Sequence, residues 1–517
     1  MESGEGLRSR TQALKSIRTK TADKGRLADA KDNSELIEEE PLSPSARLFH
    51  EPNFNVYIIA IMGCKTKIHE DVVRANLLHT LLKHPRFSSL QVGDDKGDMK
   101  WVRTKVDLDK HLRVPDLNPD MESGDQFVED YVYNLSKTTI DRSQQPLWDL
   151  HLLNVKTSDA EAVGIFRIHH SLGDGTSLIS LLLACTRKTS DPSALPTVPV
   201  KKKKEKSSSN PLWLSRCFIG LWWICRLFWH TVVDVFMFIA TAMFLKDTET
   251  PLKGPPGVEF TPRRIVHRTV SLDDIKLVKN AMHMTVNDVA LGITQAGLSR
   301  YLNRKYGNNL PKSIRLRSTL LINIRTSAGI QAFADMMEND TKAKWGNWIG
   351  YVLLPFSIAL RDDPLDYIRR AKATIDRKKH SLEALYTFSI SEFILKTLGI
   401  KRASALSHRI ITHTTMCFSN LVGPLEEIGY YGHPMAYLAP SCYGQPHALM
   451  INFQSYINKM TIVLSVDEGT IPHPRELCDD IVHSLELIKN AVIAKGLVKE
   501  CHNTNGTCSE NSNSIIT

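Results

Sequence analysis

Hydrophobic and polar positions along the 517-residue chain alternate between two periods. The unbroken apolar run Asn55-Val-Tyr-Ile-Ile-Ala-Ile-Met62 predicts a buried strand. Residues 69–84 carry Val72, Val73, Leu77, Leu78, Leu81 and Leu82 at helical spacing and predict an amphipathic helix. Ala162–Ile168 predicts a second strand. It runs into the polar, glycine-containing turn His169-His-Ser-Leu-Gly-Asp-Gly175 and then an apolar helix from Thr176 to about Cys185. After residue 258 the same interleaving resumes. Strand Ile265–Val270 meets Ser271-Leu-Asp-Asp274, a helix-opening cap, and Thr285-Val-Asn-Asp288 opens a second helix that reaches about Tyr301. Leu320–Ile324 and Trp348–Pro355 predict strands, Ala448–Tyr456 and Met460–Val466 a hairpin, and residues 474–495 a closing helix.

Between these halves the composition changes. Residues 187–210 are rich in Ser, Pro, Thr and Lys and read as a linker. The most hydrophobic stretch of the chain, Phe218–Leu245, follows. The expected organisation is a disordered tail over 1–40, an N-terminal lobe over 41–186, a linker with the apolar helix over 187–257, a C-terminal lobe over 258–498 and a disordered tail over 499–517.

Composition narrows the function. Hydrophobic residues make up 42% and charged residues 23%, an ordinary globular mixture. The net charge is 65 − 56 = +9, and Lys201–Lys204 alone supply four of those charges, so the balance describes one basic patch and argues against a nucleic-acid partner. Nine cysteines occur without a CxxC pair or a Cys/His cluster at zinc spacing, so no metal is expected and a reducing compartment fits. The first forty residues lack the apolar core of a secretory signal, and the sequons at Asn134, Asn339 and Asn505 read as chance.

The sharpest chemical signal is His169-His170-Ser-Leu-Gly-Asp174-Gly175. An H-x-x-x-D-G string in a chain with 19 His and 27 Gly arises by chance on the order of 0.1 times or less. A histidine at a strand end can present its imidazole in a cleft, with a pKa suited to taking a proton from a hydroxyl. That reading falls on His170, whereas a structural role is the better reading of His169. Gly173 and Gly175 are expected to supply positive φ to a sharp turn. Asp174 could pair with a buried arginine.

This turn resembles the signature of the CoA-dependent acyltransferase superfamily. Pro146-Leu-Trp148, Asn287-Asp288 and Asn420-Leu-Val-Gly-Pro424, with Pro41-Leu-Ser-Pro-Ser-Ala-Arg47 and Gly346-Asn-Trp-Ile-Gly350, narrow the resemblance. Together they are similar to the plant branch of the wax ester synthase/diacylglycerol acyltransferase family, over roughly residues 41–495. Asn420-Leu-Val-Gly-Pro departs from the family's more usual Asn-Val-Pro-Gly-Pro.

The resemblance implies an α/β (α+β) fold of the two-lobed chloramphenicol-acetyltransferase type, with a tunnel between the lobes. It implies transfer of a long-chain acyl group from acyl-CoA, as substrate, to a fatty alcohol, with diacylglycerol as a second acceptor and no further cofactor. His170 would be the general base, and Asp174 would order the loop through an arginine, for which Arg325 is the candidate. Asn287 has two readings, a substrate or oxyanion contact and a first-turn helix residue. For Asp288 the cap is the favoured reading, and Pro146-Leu-Trp148 fits lobe packing better than substrate contact. The alternative function is a catalytically inactive lipid-binding or scaffold protein on the same fold.

Competing motifs are weak. His111-Leu-Arg-Val-Pro-Asp116 has the spacing of another acyltransferase motif but sits in a Pro-containing polar loop. No Gly-x-Ser-x-Gly elbow, phosphate loop or HExxH occurs.

Phe218–Leu245 is long enough to cross a bilayer, yet Arg226, His230 and Asp234 form a polar stripe on one helix face. A single crossing would put the two lobes on opposite sides of the membrane. An interfacial or re-entrant helix is therefore the favoured reading, ahead of a span and a buried inter-lobe helix. The expected location is the cytosolic face of the endoplasmic reticulum membrane, with the plasma membrane as the second choice.

Overall fold

The computed structural model describes residues 39–498 apart from 94–97, 118–122, 200–212, 325–329, 340–344 and 348. The expected tail over 499–517, most of that over 1–40, the Lys201–Lys204 run and the candidate Arg325 lie outside the described residues, whereas Glu39 and Glu40 are ordered by pairing in a strand with Val102 and Trp101.

Two large sheets carry the fold. One has seven strands in the order Leu112–Arg113, Trp148–Leu153, Ala162–His169, Tyr57–Cys64, His433–Tyr443, Ile428–Tyr430 and Thr186–Lys188. The other has six, in the order Ile349–Phe356, Leu316–Asn323, Met416–Leu421, Leu449–Tyr456, Lys459–Val466 and Arg264–Ser271. A small sheet of Glu39–Pro41, Met99–Arg103 and Ser89–Gly93 flanks them. Each large sheet has its own core. Ile59, Ile61, Ile165, Trp148 and Leu181 anchor the first, and Val289, Leu291, Ile462, Leu464 and Ile481 the second.

The central strands follow from their sequences. Tyr57–Cys64 and Ala162–His169 are apolar on both faces, and both are buried along almost their whole length. They pair antiparallel from Tyr57↔His169 to Cys64↔Ala162. The expected hairpin forms between Leu449–Tyr456 and Lys459–Val466. The helix expected over 69–84 is shorter. It ends at His79, where Thr80 turns to φ −126° and ψ −89°, and a 3₁₀ turn continues over Leu81–Lys83.

The expected lobe boundary near 257 does not separate the sheets. His433–Tyr443, far into the C-terminal half, pairs with Tyr57–Cys64 and completes the first sheet. Pro434 and Pro440 hide this strand in the sequence, because proline lacks the donor that a strand between two neighbours needs. Here the second neighbour, Ile428–Tyr430, pairs only with Pro434 and His433, so Pro440 lies beyond the ladder on that edge.

Several histidines are buried uncharged. Burial lowers His84 and His447 to about 3. In the unfolded chain each binds its proton near pH 6.5, so below that value the unfolded state holds more protons and stability falls with pH. Each group contributes about 1.4 kcal/mol of loss per pH unit between 6.5 and 3. The melting temperature is therefore expected to drop steeply between pH 7 and 5. Replacing His447 with Gln should flatten that slope.

Candidate active site

The strand Ala162–His169 ends directly at the turn. His170–Leu172 form a 3₁₀ turn, and the motif helix Gly175–Ala184 begins three residues later. Asp174 caps this helix, its carboxylate accepting from Ser177 N at 2.8 Å. The acidic residue of the motif is thus fixed first by local helix chemistry. Arg325, its expected partner, lies outside the described residues.

The two histidines face different surroundings. His169 is buried with both ring nitrogens engaged, Nδ1 with Ser171 Oγ at 2.7 Å and Nε2 with Asn55 Oδ1 at 3.1 Å. Burial pushes its pKa well below the ordinary histidine value. It borders a polar cleft of about 400 Å³ lined also by Asn55, Tyr57 and Arg142.

His170 borders a separate cavity of about 110 Å³ between the two sheets. Its walls come from Ile58 and Asp174–Thr176 in the first half of the chain, and from Cys417–Ser419, Leu421, Pro440–Cys442, Met450 and Asn452 in the second. A narrower apolar cavity beneath the motif helix adjoins it, bordered by the same Ile58, Gly175, Leu421 and Pro440.

His170 is held by its neighbours. The Phe49 ring stacks on it at 4.2 Å between centroids, 18° from parallel. Its own N–H donates to Val56 O at 2.9 Å, and its carbonyl accepts from Asn347 Nδ2 at 2.9 Å. Ser45 Oγ donates to Asn347 O at 2.9 Å, so Asn347 ties the helix Pro44–Leu48 to the turn. Nδ1 of His170 is buried and makes no hydrogen bond of ordinary geometry among the described residues. Burial lowers the pKa of the imidazole, opposed by the Asp174 carboxylate and the Asn347 side chain beside it. The ring is therefore neutral at pH 7 and able to accept a proton.

Gly173 and Gly175 do not serve as expected. Gly173 has an extended backbone at φ 173°, and neither residue adopts the left-handed conformation. Gly173 is required by close approach instead. A Cβ there would lie 2.7 Å from Trp345 Cζ2. Trp345 Nε1 donates to Leu172 O, and its indole packs against His84 at 4.1 Å between centroids. Gly350 plays a similar part, since a Cβ there would lie 2.2 Å from Ala384 O on the neighbouring helix.

Asn287 and Asp288 are not among the residues lining the cavity of His170. Asp288 is fully buried and completes a capping box with Thr285, accepting from Thr285 N at 2.8 Å. Asn287 Oδ1 accepts from Asn420 Nδ2 at 2.5 Å. The two asparagine motifs therefore meet each other and hold the helix Val286–Lys305 to the strand Met416–Leu421. Trp148 is fully buried, donating to Phe87 O at 2.8 Å, as lobe packing requires. His111 is also buried, stacked on Trp148 at 4.2 Å.

The sequence reading missed Phe49, Trp345 and Asn347, although the last stands inside a quoted motif. It also missed Cys417, Ser419, Ser441 and Asn452, which reach the cavity only through strand pairing. Cys417 is held as a thiol, its pKa raised to about 12 by burial, so it is not a ready thiolate nucleophile. Among the described residues no group of three or more His, Cys, Asp or Glu is placed to hold a metal ion.

Gly173→Ala should cost about 1–3 kcal/mol, the usual penalty for overpacking, measured by chemical denaturation. Pairing it with Trp345→Phe should recover part of that loss. An unchanged midpoint in Gly173→Ala would contradict the close approach.

Comparison with known proteins gives the family and the fold. Residues 72–290 match the wax ester synthase/diacylglycerol acyltransferase catalytic domain, and residues 345–489 match the WS/DGAT C-terminal domain. The chain is 54% identical over 479 residues to wax ester synthase/diacylglycerol acyltransferase 11 of Arabidopsis thaliana, covering 91% of this chain and 98% of that protein. It is 52% identical over 493 residues to wax ester synthase/diacylglycerol acyltransferase 5 of the same plant, covering 91% and 97%. Among solved structures, the fold is shared with the wax ester synthase/diacylglycerol acyltransferase from Marinobacter aquaeolei VT8, at TM-score 0.55 and 17% identity, over 87% of this chain and all of that one. The first condensation domain of the CDA synthetase also shares it, at TM-score 0.53 and 11% identity, over 84% and 91%. The chain has the two-lobed fold of these proteins and is an O-acyltransferase that belongs to the wax ester synthase/diacylglycerol acyltransferase family.

Proposed function

We propose that the chain transfers a long-chain fatty acyl group from acyl-CoA to the hydroxyl of a fatty alcohol, with diacylglycerol as a secondary acceptor. The observation that carries this reading is the neutral His170 imidazole, buried between the sheets at the end of an apolar cavity. In this reaction His170 takes the proton from the acceptor hydroxyl as its oxygen attacks the thioester carbonyl. The tetrahedral intermediate then expels the CoA thiolate, which takes the proton from His170. The ester and free CoA leave, and His170 returns to its neutral form. No cofactor enters, and no acyl-enzyme forms.

The surroundings support this division of labour. The cavity beneath the motif helix is lined by Leu178, Leu181, Leu182, Phe87 and Phe166, and suits an acyl chain. His169 and Asp174 act on the shape of the turn. Gly175 borders both cavities, and a Cβ there would meet Leu421 at 4.0 Å between them. Asn287 and Asp288 secure the strand that forms the opposite wall. We place the reaction at a lipid surface, the cytosolic face of the endoplasmic reticulum. The helix Trp213–Met243 supports this placement, because it exposes Phe228, Trp229 and Phe236.

Microsomes carrying wild type or His170→Ala, given labelled palmitoyl-CoA with hexadecanol or diacylglycerol, test the reaction. Wax ester is expected from wild type, with a loss of about 10²–10⁴-fold in the variant. Triacylglycerol alone would change the acceptor, and equal product from both proteins would remove His170 from its role. The lowered pKa of His170 also predicts the pH profile. The base is lost only when protonated, so the acid limb of kcat/KM should fall below pH 6.5, the unperturbed histidine value.

A further inference from the structure

The apolar helix Trp213–Met243 carries a fully buried carboxylate. Asp234 is 0% exposed and accepts from Arg377 Nη1 at 3.1 Å and Lys378 Nζ at 3.0 Å. Lys378 also bridges to the buried Glu383 at 2.6 Å. Further contacts with the same body run along the helix. Trp223 packs on His380 at 4.7 Å between ring centroids. Thr231 Oγ1 accepts from Leu382 N at 3.0 Å. Phe238 packs with Leu353 and Ile410. Thr241 O pairs with His413 Nδ1 at 2.5 Å, and Met243 O accepts from Arg409. From 223 to 243 that is about 30 Å of helix lying flat on the protein.

Apart from the half-buried Arg226 and His230, the other face is largely apolar and exposed: Leu221, Ile224, Phe228 at 69%, Trp229 at 65%, Phe236 at 65% and Ile239. The helix Glu383–Leu398 packs beside this one and exposes Leu385, Tyr386, Phe393 and Leu398.

The length of about 30 Å equals the hydrocarbon thickness of a bilayer. If the helix crossed, its pinned face would carry Arg377, Lys378, Glu383 and Arg409 to hydrocarbon depth, at a cost of a few kcal/mol or more for each charge. Lying in the plane avoids that cost and buries the whole exposed face in one leaflet. Charge favours the same partner. Residues 379–409 hold Lys379, Lys396, Lys401, Arg402 and Arg409 against two carboxylates, Glu383 and Glu392, and the first of those is buried.

The same helices wall a chamber of about 290 Å³. Phe238 of the apolar helix lines it with Phe388, Ile394 and Leu395. At its inner end stand Phe49 and Asn347, both in contact with His170. We infer that the helix Trp213–Met243 lies in the plane of one anionic leaflet, and that this chamber is the lateral entrance through which the apolar acceptor reaches His170 without crossing water. The entrance, though not the placement of the helix, rests on the acyl-transfer reading above.

Two measurements decide it. In sealed microsomes, epitope tags at both termini of the full chain are expected to be digested together by external protease. Tags on opposite sides would overturn the inference. Purified protein should float with phosphatidylcholine vesicles more completely when phosphatidylserine is included. The double variant Phe228→Glu with Phe236→Glu should lose flotation by about tenfold or more, the effect of 1.4 kcal/mol. It should also lose wax ester synthesis from hexadecanol dissolved in vesicles, but keep it from hexadecanol in detergent micelles. Full activity from vesicles would overturn the lateral entrance. Loss in micelles as well, with unchanged melting, would overturn it too, because the face would then serve the active site directly. No synthesis by wild type in either form would strike the acyl-transfer reading and with it the entrance, leaving tags and flotation to decide the placement of the helix.

Discussion

The pairing of His433–Tyr443 with Tyr57–Cys64 is the constraint on which the site depends. It inserts a strand from late in the chain into the sheet that carries His170. Pro440, Ser441 and Cys442 on that strand then face the same cavity as Met450 and Asn452 on the strand that follows. One continuous segment thus belongs to both walls of the cleft. Arg263 adds a second tie. It is fully buried, its backbone N–H donates to Ser136 Oγ, and its guanidinium donates to the carbonyls of Val258, Gln445 and His447. Burial without a directly bonded carboxylate lowers its pKa to about 10, still charged at neutral pH.

Around that frame the turn 169–175 is held from a distance. Trp345 fills the space that a side chain on Gly173 would take, and Asn347 grips the carbonyl of His170 while Ser45 grips Asn347. The ion pair of Arg167 with Asp149, 2.9 Å at Nε, fastens the two strands beside it. These contacts leave His170 oriented with one ring nitrogen unmatched. An unmatched buried polar atom costs stability.

Local features were readable without coordinates. The strand, turn and motif helix around His170, the cap of Thr285 with Asp288, and the serine cap at Ser271 all involve residues within a few positions of one another. Gly173 shows where such reading fails. Its presence in a tight motif suggests positive φ, while the actual cause is an indole 172 residues away. Asn287 shows the same dependence on distant partners. Its residue type permits an oxyanion contact or a helix first-turn position, and its link to Asn420 appears only when the strand Met416–Leu421 approaches. The Arg226, His230 and Asp234 stripe was visible as a pattern, but its meaning required Arg377 and Lys378 to arrive beneath it.

The sequence by itself determined the periodic elements, the caps and the histidine motif, because hydrogen bonding and hydrophobic period act over a few residues. It also determined the family, because the motifs recur in a set order. Only the tertiary structure decided which side chains share a cavity with His170, why Gly173 must be glycine, and on which side the apolar helix is pinned. Those outcomes depend on strand register and on packing between residues hundreds of positions apart. Neither quantity is encoded in any local window of the chain.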